Sequence, residues 1–405
     1  MAIKGGGHTP WEGSSSVHGG ITIDLGAMRD VSVNDDQSIV SVGGGSRWID
    51  VYQTLDPLHL AVSGGRVAGV GVTGLILGGG ISFFAPRYGW ACDQVANFEV
   101  VLADGQVVNA NVSSNQDLWW ALKGGSNNFG IVTTLNLKAF PQGDLWGGMT
   151  VNAIDSRNEI LEALTTANAI SERDEYATVI CNFVYQAATT SWMISNNVVY
   201  SKAEPYPKAL QPFTQIEPSL YDTLRTTNLS DLTLEIDRSN TRGRRYIFIT
   251  STYANDADLL HTVFDIANST LQSIATVPGI LYVLSLQSVP SSIADKTSTD
   301  APNALGLDKN VGPQINALLN IHWDDVADDA AVNAAAESWL QRADAEAEKR
   351  GLKRRWLYLN YAHKTQDPIG GYGEGNGERL REVSRKYDPE GVFQKVVKGG
   401  FKVLP

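Results

Sequence analysis

Short apolar and β-branched runs closed by glycine fill the first third of the chain, as in Ile21–Leu25, Ser38–Val42, Phe98–Leu102 and Gly130–Leu137. This pattern predicts short strands joined by glycine turns. Beyond Gly143 the periods change. Apolar residues recur at helical spacing in Arg157–Ser171 and Asp256–Ile274, while Thr178–Tyr185, Ser191–Tyr200 and Tyr246–Tyr253 alternate as half-buried strands do. Further strands are expected at Ile280–Gln287 and Ile315–Trp323, then an Ala/Glu-rich helix from about Asp328 to Arg350, stopped by Gly351 as a C-terminal cap. The tail returns to aromatic and glycine-rich text over Trp356–Gly377. It closes with an amphipathic helix near Glu378–Lys386 that ends at Asp388-Pro389-Glu390-Gly391. The expected class is α+β, divided into residues 1–142, 143–355 and 356–405.

Charge excludes some partners. The chain has 32 Lys and Arg against 44 Asp and Glu, a net −12, which disfavours nucleic acid and anionic lipid. No apolar run approaches the ~20 residues of a membrane-spanning helix. Cys92 and Cys181 stand outside any Cys-x-x-Cys or Cys/His cluster, so no metal site is expected. Sequons at Asn111, Asn228 and Asn268 are compatible with secretion, yet no signal peptide is visible, and localisation stays open.

Glycine carries the chemistry. There are 39 in 405 residues, and the clusters Gly5–Gly7, Gly43–Gly45, Gly64–Gly65, Gly78–Gly80 and Gly124–Gly125 all precede position 131. Bare main-chain N–H groups converging from such loops could wrap a phosphate-bearing ligand; the alternative is a set of ordinary tight turns. Gly69-Val70-Gly71-Val72-Thr73-Gly74 fits the G-x-G-x-x-G dinucleotide fingerprint, with Asp93 at about the expected distance of ~20 residues. The context argues against it: no buried strand leads into Gly69, and Gly78–Gly80 would break the helix that has to follow. Ser46 fits a helix N-cap after the Gly43–Gly45 loop.

Three ordered motifs narrow the reading. They are Lys4-Gly5-Gly6-Gly7-His8-Thr9-Pro10; Gly71–Gly80 followed by Tyr88-Gly89-Trp90-Ala91-Cys92-Asp93-Gln94-Val95; and Asp117–Thr133, with Gly124-Gly125-Ser126-Asn127-Asn128-Phe129-Gly130-Ile131-Val132. Together they resemble the FAD-binding domain of the vanillyl-alcohol oxidase/p-cresol methylhydroxylase (PCMH) superfamily. Tyr358-Leu359-Asn360-Tyr361, Tyr372-Gly373 and Lys386–Phe393 are similar to the berberine-bridge-enzyme C-terminal segment, with a fungal flavour in Phe98–Asp104 and Gly399–Leu404.

The resemblance implies a bipartite PCMH-type FAD-binding domain (1–142), a central α+β substrate domain (143–355) and a C-terminal segment (356–405) that returns to the flavin domain. It places Gly5, Gly6, Gly7, His8, Gly71, Gly74, Gly78, Gly79, Gly80, Gly130, Ile131, Val132 and Asn360 around FAD. His8 matches the residue bonded to the flavin 8α-methyl, whereas Val67 stands where many relatives carry a second, cysteine link, so a monocovalent flavin is expected. Tyr361 would be the base, with Tyr358 beside it; Lys364 and Arg355 are the nearest cations in sequence that could support it. The bland alternative is a strand on which Tyr358 and Tyr361 alternate faces. Cys92 reads as a packing residue.

The implied activity is that of an oxidase. A hydride passes from an alcohol, sugar or secondary metabolite to flavin N5, and O2 leaves as hydrogen peroxide. The small-molecule substrate and O2 are the only partners implied, and oligomeric state is open. Relatives carry a leading segment before the glycine–histidine loop, whereas Met1 lies only seven residues before His8, so an incomplete flavin half is expected. Two rivals follow: a non-redox cyclase using the same pocket, and a flavin-free binding protein.

Overall fold

A computed structural model describes residues 1–170 and 174–404. Among these, Ala2–Lys4 and Thr22–Asp24 form a parallel pair. A six-stranded antiparallel sheet runs Val31–Val33, Ile39–Gly43, Ile131–Pro141, Val95–Val101 and Val107–Asn111, with Leu60–Val62 on the far end of Ile131–Pro141. A nine-stranded antiparallel sheet runs Ser219–Asp222, Leu145–Ala153, Ser191–Tyr200, Ala177–Gln186, Leu281–Val289, Gln314–Trp323, Arg245–Ala254 and Lys353–Arg354. Arg225–Thr227 also pairs with Leu145–Ala153.

The pleat of the large sheet explains what its faces do. On Gln314–Trp323 the odd positions Ile315, Ala317, Leu319, Ile321 and Trp323 enter a core shared with three helices, Arg157–Ala169, Ala257–Leu271 and Asp329–Lys349. The even positions, which include Asn320 and His322, face the other way. The long helix packs through Val332, Ala335, Ala336, Trp339, Ala343 and Ala347, a stripe at helical spacing. It ends as expected: Gly351 has φ +71°, its N–H bonds the Glu348 carbonyl, and Leu352 N–H bonds that of Ala347. These two bonds form a Schellman motif. The Arg157 helix reaches Ala169; Ser171 lies outside the described residues.

A second core fills the flavin side, and the tail belongs to it. Trp356, Tyr358, Tyr372 and Leu380 pack with Trp48, Trp90 and Trp120, as do Ala304 and Leu305 from the segment after Leu281–Val289. The tail helix, Glu374–Tyr387, starts one turn earlier than its apolar pattern suggested. Cys92 and Cys181 are free thiols, each buried in a different core.

Ser46 is not the N-cap of the helix Trp48–Leu55. Arg47 holds that position, its N–H bonded to the Asp50 carboxylate at 2.7 Å. The next two N–H groups, of Trp48 and Ile49, are taken by the carbonyls of Val70 and Ala68. This fastens the Ala68–Gly71 backbone to the helix end, where Ser46 makes no side-chain bond.

The same helix explains Gly64 and Gly65. A Cβ on Gly65 would sit 2.4 Å from Trp48 Cδ1 and 2.5 Å from its Nε1. Gly65→Ala is therefore expected to cost about 1–3 kcal/mol through overpacking of a filled core. Urea unfolding monitored by tryptophan fluorescence checks this, with a lowered midpoint at unchanged slope.

Candidate active site

A cavity of about 1260 Å³ opens between the flavin-side core and the inner face of the large sheet. It exceeds the ~300–1,000 Å³ usual for small-molecule pockets. One wall is main chain from two distant loops. Gly6 and Gly71 touch backbone to backbone: a Cβ on Gly6 would lie 2.4 Å from Gly71 Cα. Arg47 bridges them, donating to Gly69 O at 2.8 Å and Gly6 O at 3.3 Å. Among the described residues, the N–H groups of Gly6, Gly7, Thr73 and Gly74 bond no protein acceptor. A Cβ on Gly74 would meet nothing within 4 Å, so its Cα faces open cavity.

Gly5, Gly6, Gly7, His8, Gly71, Gly74, Gly130, Ile131, Val132, Tyr358, Asn360 and Tyr361 all line this space. Gly78, Gly79 and Gly80 do not. Their bare Cα atoms accommodate Asn360, Leu305 and Leu75 respectively, so glycine there serves packing. The Gly43–Gly45 turn likewise rests on the backbone of Leu25 and Met28. Asp93 lies outside the cavity. Its carboxylate accepts from Thr297 Oγ1 at 2.7 Å and Asn303 Nδ2 at 2.9 Å, and burial raises its pKa.

His8 is exposed to the cavity, yet surrounding protein still desolvates it and lowers its pKa. Asp237 opposes that shift, while Arg47 and Arg242 reinforce it. The net effect favours the neutral imidazole at pH 7.

The tyrosines do not alternate on a strand. Leu359–Tyr361 is a 3₁₀ turn, which brings the rings of Tyr358 and Tyr361 to 4.8 Å, edge to face, on one wall. Tyr358 OH accepts from Ile81 N–H and from Asn360 Nδ2, both at 3.0 Å, and burial pushes its phenol pKa up. Tyr361 is held differently. Arg66 Nη2 donates to its oxygen at 2.9 Å, and Gln287 Nε2 donates at 3.1 Å. Arg66 Nη2 also donates to Gln287 Oε1 at 2.6 Å, fixing which way that amide faces. The cation beside Tyr361 is thus Arg66, 295 positions away in sequence, and not Lys364 or Arg355. Arg355 lies against Gly373. Sequence reading missed Arg66 and Gln287; the one signal available was a long cation directly after Gly64-Gly65.

Comparison with known proteins interprets this arrangement. Residues 1–111 match the FAD binding domain family, and residues 357–395 match the berberine and berberine-like family. The whole chain is 36% identical to the FAD-dependent monooxygenase CTB5 of Cercospora nicotianae, covering 90% of that protein. It is also 36% identical to the FAD-dependent monooxygenase tpcD of Cochliobolus heterostrophus, covering 80% of it. The chain belongs to the fungal berberine-bridge-like FAD-linked oxidoreductases. Solved structures share the fold. 6-Hydroxy-D-nicotine oxidase from Arthrobacter nicotinovorans has a TM-score of 0.78 at 21% identity, over 97% of this chain and 84% of that one. Berberine bridge enzyme from Eschscholzia californica has a TM-score of 0.76 at 17% identity, over 97% and 83%.

As a berberine-bridge-like oxidoreductase the chain performs FAD-dependent redox chemistry, and its residues fit that cofactor. Four unpaired N–H groups and the bare Cα of Gly74 make a main-chain cradle suited to a pyrophosphate. No group of three or more His, Cys, Asp or Glu among the described residues could hold a metal, and no helix there is long and apolar enough to cross a membrane.

Because Asp93 ties down the Thr297–Asn303 segment, Asp93→Asn is expected to lower stability by about 1–2 kcal/mol through loss of a buried acceptor. Flavin bound per chain should not change. Thermal unfolding together with the 450 nm to 280 nm absorbance ratio checks both.

Proposed function

We propose that this enzyme is an oxidase in which Tyr361 takes the proton while the adjacent substrate C–H gives up its hydride. The observation that carries this reading is the pair of donors on the Tyr361 oxygen. Arg66 and Gln287 both point N–H groups at it, the arrangement that favours a negatively charged oxygen. Tyr358 is the weaker candidate for base because burial favours its neutral phenol, and neither of its two donors, Ile81 N–H and Asn360 Nδ2, carries a charge. Asn360 fixes Tyr358 and anchors the turn by donating to Leu75 O at 2.9 Å. Tyr358 therefore positions Tyr361 by edge-to-face packing.

Bound FAD would supply a two-electron acceptor at N5, reoxidised by dioxygen to give hydrogen peroxide. The chain's own residues do the rest. Gly6, Gly7, Thr73 and Gly74 hold the diphosphate, and Asn360 sits on the wall nearest Tyr361. His8, whose lowered pKa favours the neutral imidazole, would be the covalent tether: its ring nitrogen would replace a hydrogen of the 8α-methyl, the flavin taking up the two electrons released and dioxygen reoxidising it. Val67 carries no thiol, so the tether is single. The three sequence segments act together, in residues 1–142 as flavin-binding half, 143–355 as substrate half and 356–405 as the returning tail. A secondary metabolite is favoured over a carbohydrate as substrate by the fungal character of Phe98–Asp104 and Gly399–Leu404, in keeping with fungal relatives that are themselves FAD-dependent monooxygenases.

Tyr361→Phe should slow flavin reduction by substrate at least ~100-fold with flavin content intact, and Arg66→Met should slow it by about tenfold. Anaerobic stopped-flow bleaching near 450 nm measures both; undiminished bleaching in Tyr361→Phe removes the base assignment.

His8→Ala should abolish acid-stable flavin. After trichloroacetic acid precipitation the yellow colour should stay with the wild-type pellet and move to the supernatant for the variant. Colour retained in the variant pellet places the tether elsewhere.

A further inference from the structure

One stretch of the cavity wall is fastened more lightly than the rest. Thr9, Trp11, Ser14 and Ser15, from the loop after the glycines, line the space, and so do Gly400 and Phe401 from the tail. Residues 8–20 and 398–404 contain no helix or strand. Among the described residues the loop makes one bond between main-chain groups, Ser14 N–H to Trp11 O at 3.4 Å, and the tail segment makes none. Val403 anchors the tail beyond this point by burial in the flavin-side core.

The two segments meet at the rim. The rings of Trp11 and Phe401, both half-buried, stand edge to face with centroids 5.4 Å apart. Beside them main chain touches main chain, since a Cβ on Gly399 would run into the Ser14 carbonyl. The other ties of the tail are side chains. Asn127 Nδ2 donates to Gly399 O at 3.0 Å, Asn128 Nδ2 to Phe401 O at 2.8 Å, and Lys402 Nζ to Asn127 Oδ1 at 3.3 Å.

Position gives this clasp its meaning. Trp11 follows four residues after Gly7, whose free N–H belongs to the cradle, and Asn127 lines the cavity three residues before Gly130. The clasp therefore stands across the glycine end of the space. The other walls there do not yield easily: one is a nine-stranded sheet, and Arg47 holds the Gly6–Gly71 contact through carbonyls on both loops. Parting the clasp breaks one aromatic pair and a few rim hydrogen bonds, each of modest net worth in water. It is the cheapest opening beside the cradle.

We propose that the Trp11–Phe401 clasp is a strap that opens to admit the flavin nucleotide and closes over it, setting the rate of cofactor exchange and not the strength of binding. This inference rests on the reading of the glycine loops as the diphosphate cradle, and it gives that cradle a moving part. No bond to the cofactor is made or broken by it.

The test reads exchange, not turnover, in the full chain carrying His8→Ala, so that the flavin is free to leave. Recovery of FAD fluorescence on dilution gives the dissociation rate, and quenching on mixing with flavin-depleted protein gives the association rate. Phe401→Ala removes the ring, and Gly399→Ala pushes the tail off the Ser14 carbonyl. Each should raise both rates about tenfold, the scale of one lost aromatic pair, and leave Kd within about threefold. A side chain that only grips bound flavin behaves otherwise: its loss speeds dissociation alone and weakens Kd by about tenfold, and that result overturns the proposal. Locking the strap tests the opposite direction. Trp11→Cys with Phe401→Cys, joined by 1,2-ethanediyl bismethanethiosulfonate, should exchange flavin at least about tenfold more slowly than the same protein unlinked, with dithiothreitol restoring the rate. Cys92 and Cys181 are buried and stay outside this reaction. Equal rates with and without the link overturn the proposal as well. Gly74→Asp separates the two readings: a carboxylate placed in the cradle should weaken FAD binding at least ~100-fold. Normal binding in that variant sinks the cradle, whereas lost binding there with unchanged exchange in the linked protein sinks the strap alone.

Discussion

Two strands of main chain with no side chain between them set the geometry of this enzyme. At Gly6 and Gly71 the backbones are so close that a single methyl on either would strike the other. That contact brings the N-terminal loop, carrying His8, against the loop that opens the Val72–Leu77 helix. Arg47 clamps both through their carbonyls, and Trp48 and Ile49 fasten the second loop to a helix end. With the carbonyls engaged on one side, N–H groups are left over on the other. A cradle of bare donors is thus the consequence of how the loops are fastened, and it is suited to an anion through groups that cannot be reoriented without breaking the clamp.

The chemistry depends on a second convergence, this time of side chains. Arg66 comes from the flavin-side core, Gln287 from the large sheet and Tyr361 from the returning tail, and they close a three-membered ring of hydrogen bonds. Each bond fixes another: Arg66 on Gln287 Oε1 forces the amide N–H toward the phenol. Arranged donors around an oxygen act more strongly in a partly enclosed site than in water. One of the two donors is therefore coupled to the docking of the two cores, since separating them takes Gln287 from Tyr361 and leaves Arg66.

Local patterning was legible where it had one physical cause. The period-2 runs of the large sheet, the 3.6-period helices and the Gly351 stop were readable because each is set by near neighbours in sequence. The glycine clusters were legible as close approaches, though not as to what approaches: Gly64 and Gly65 admit an indole, Gly78 admits Asn360, and the Gly5–Gly7 and Gly71–Gly74 segments, with Gly130, face the cavity. Asp93 sits at a fingerprint spacing but serves a distant loop. Ser46 had the right side chain for a cap one residue too early. Proximity in sequence pointed to Lys364 and Arg355 beside Tyr361, whereas a residue 295 positions away stands there. Contacts made across the fold leave no periodic trace.

Charge shows why these local arrangements have to be strong. The chain carries a net −12, which at long range repels an anionic dinucleotide. Screening limits that repulsion to about 8 Å at physiological salt, so within the cavity the nearest groups decide. There the balance reverses: Arg47 stands at the glycine loops and Arg66 at the base, while Asp231 and Glu235 are neutralised by Arg225. The donors without acceptors near the glycines fit that balance. They suit phosphate oxygens, so the cavity would draw in at close range the anion that the chain as a whole repels.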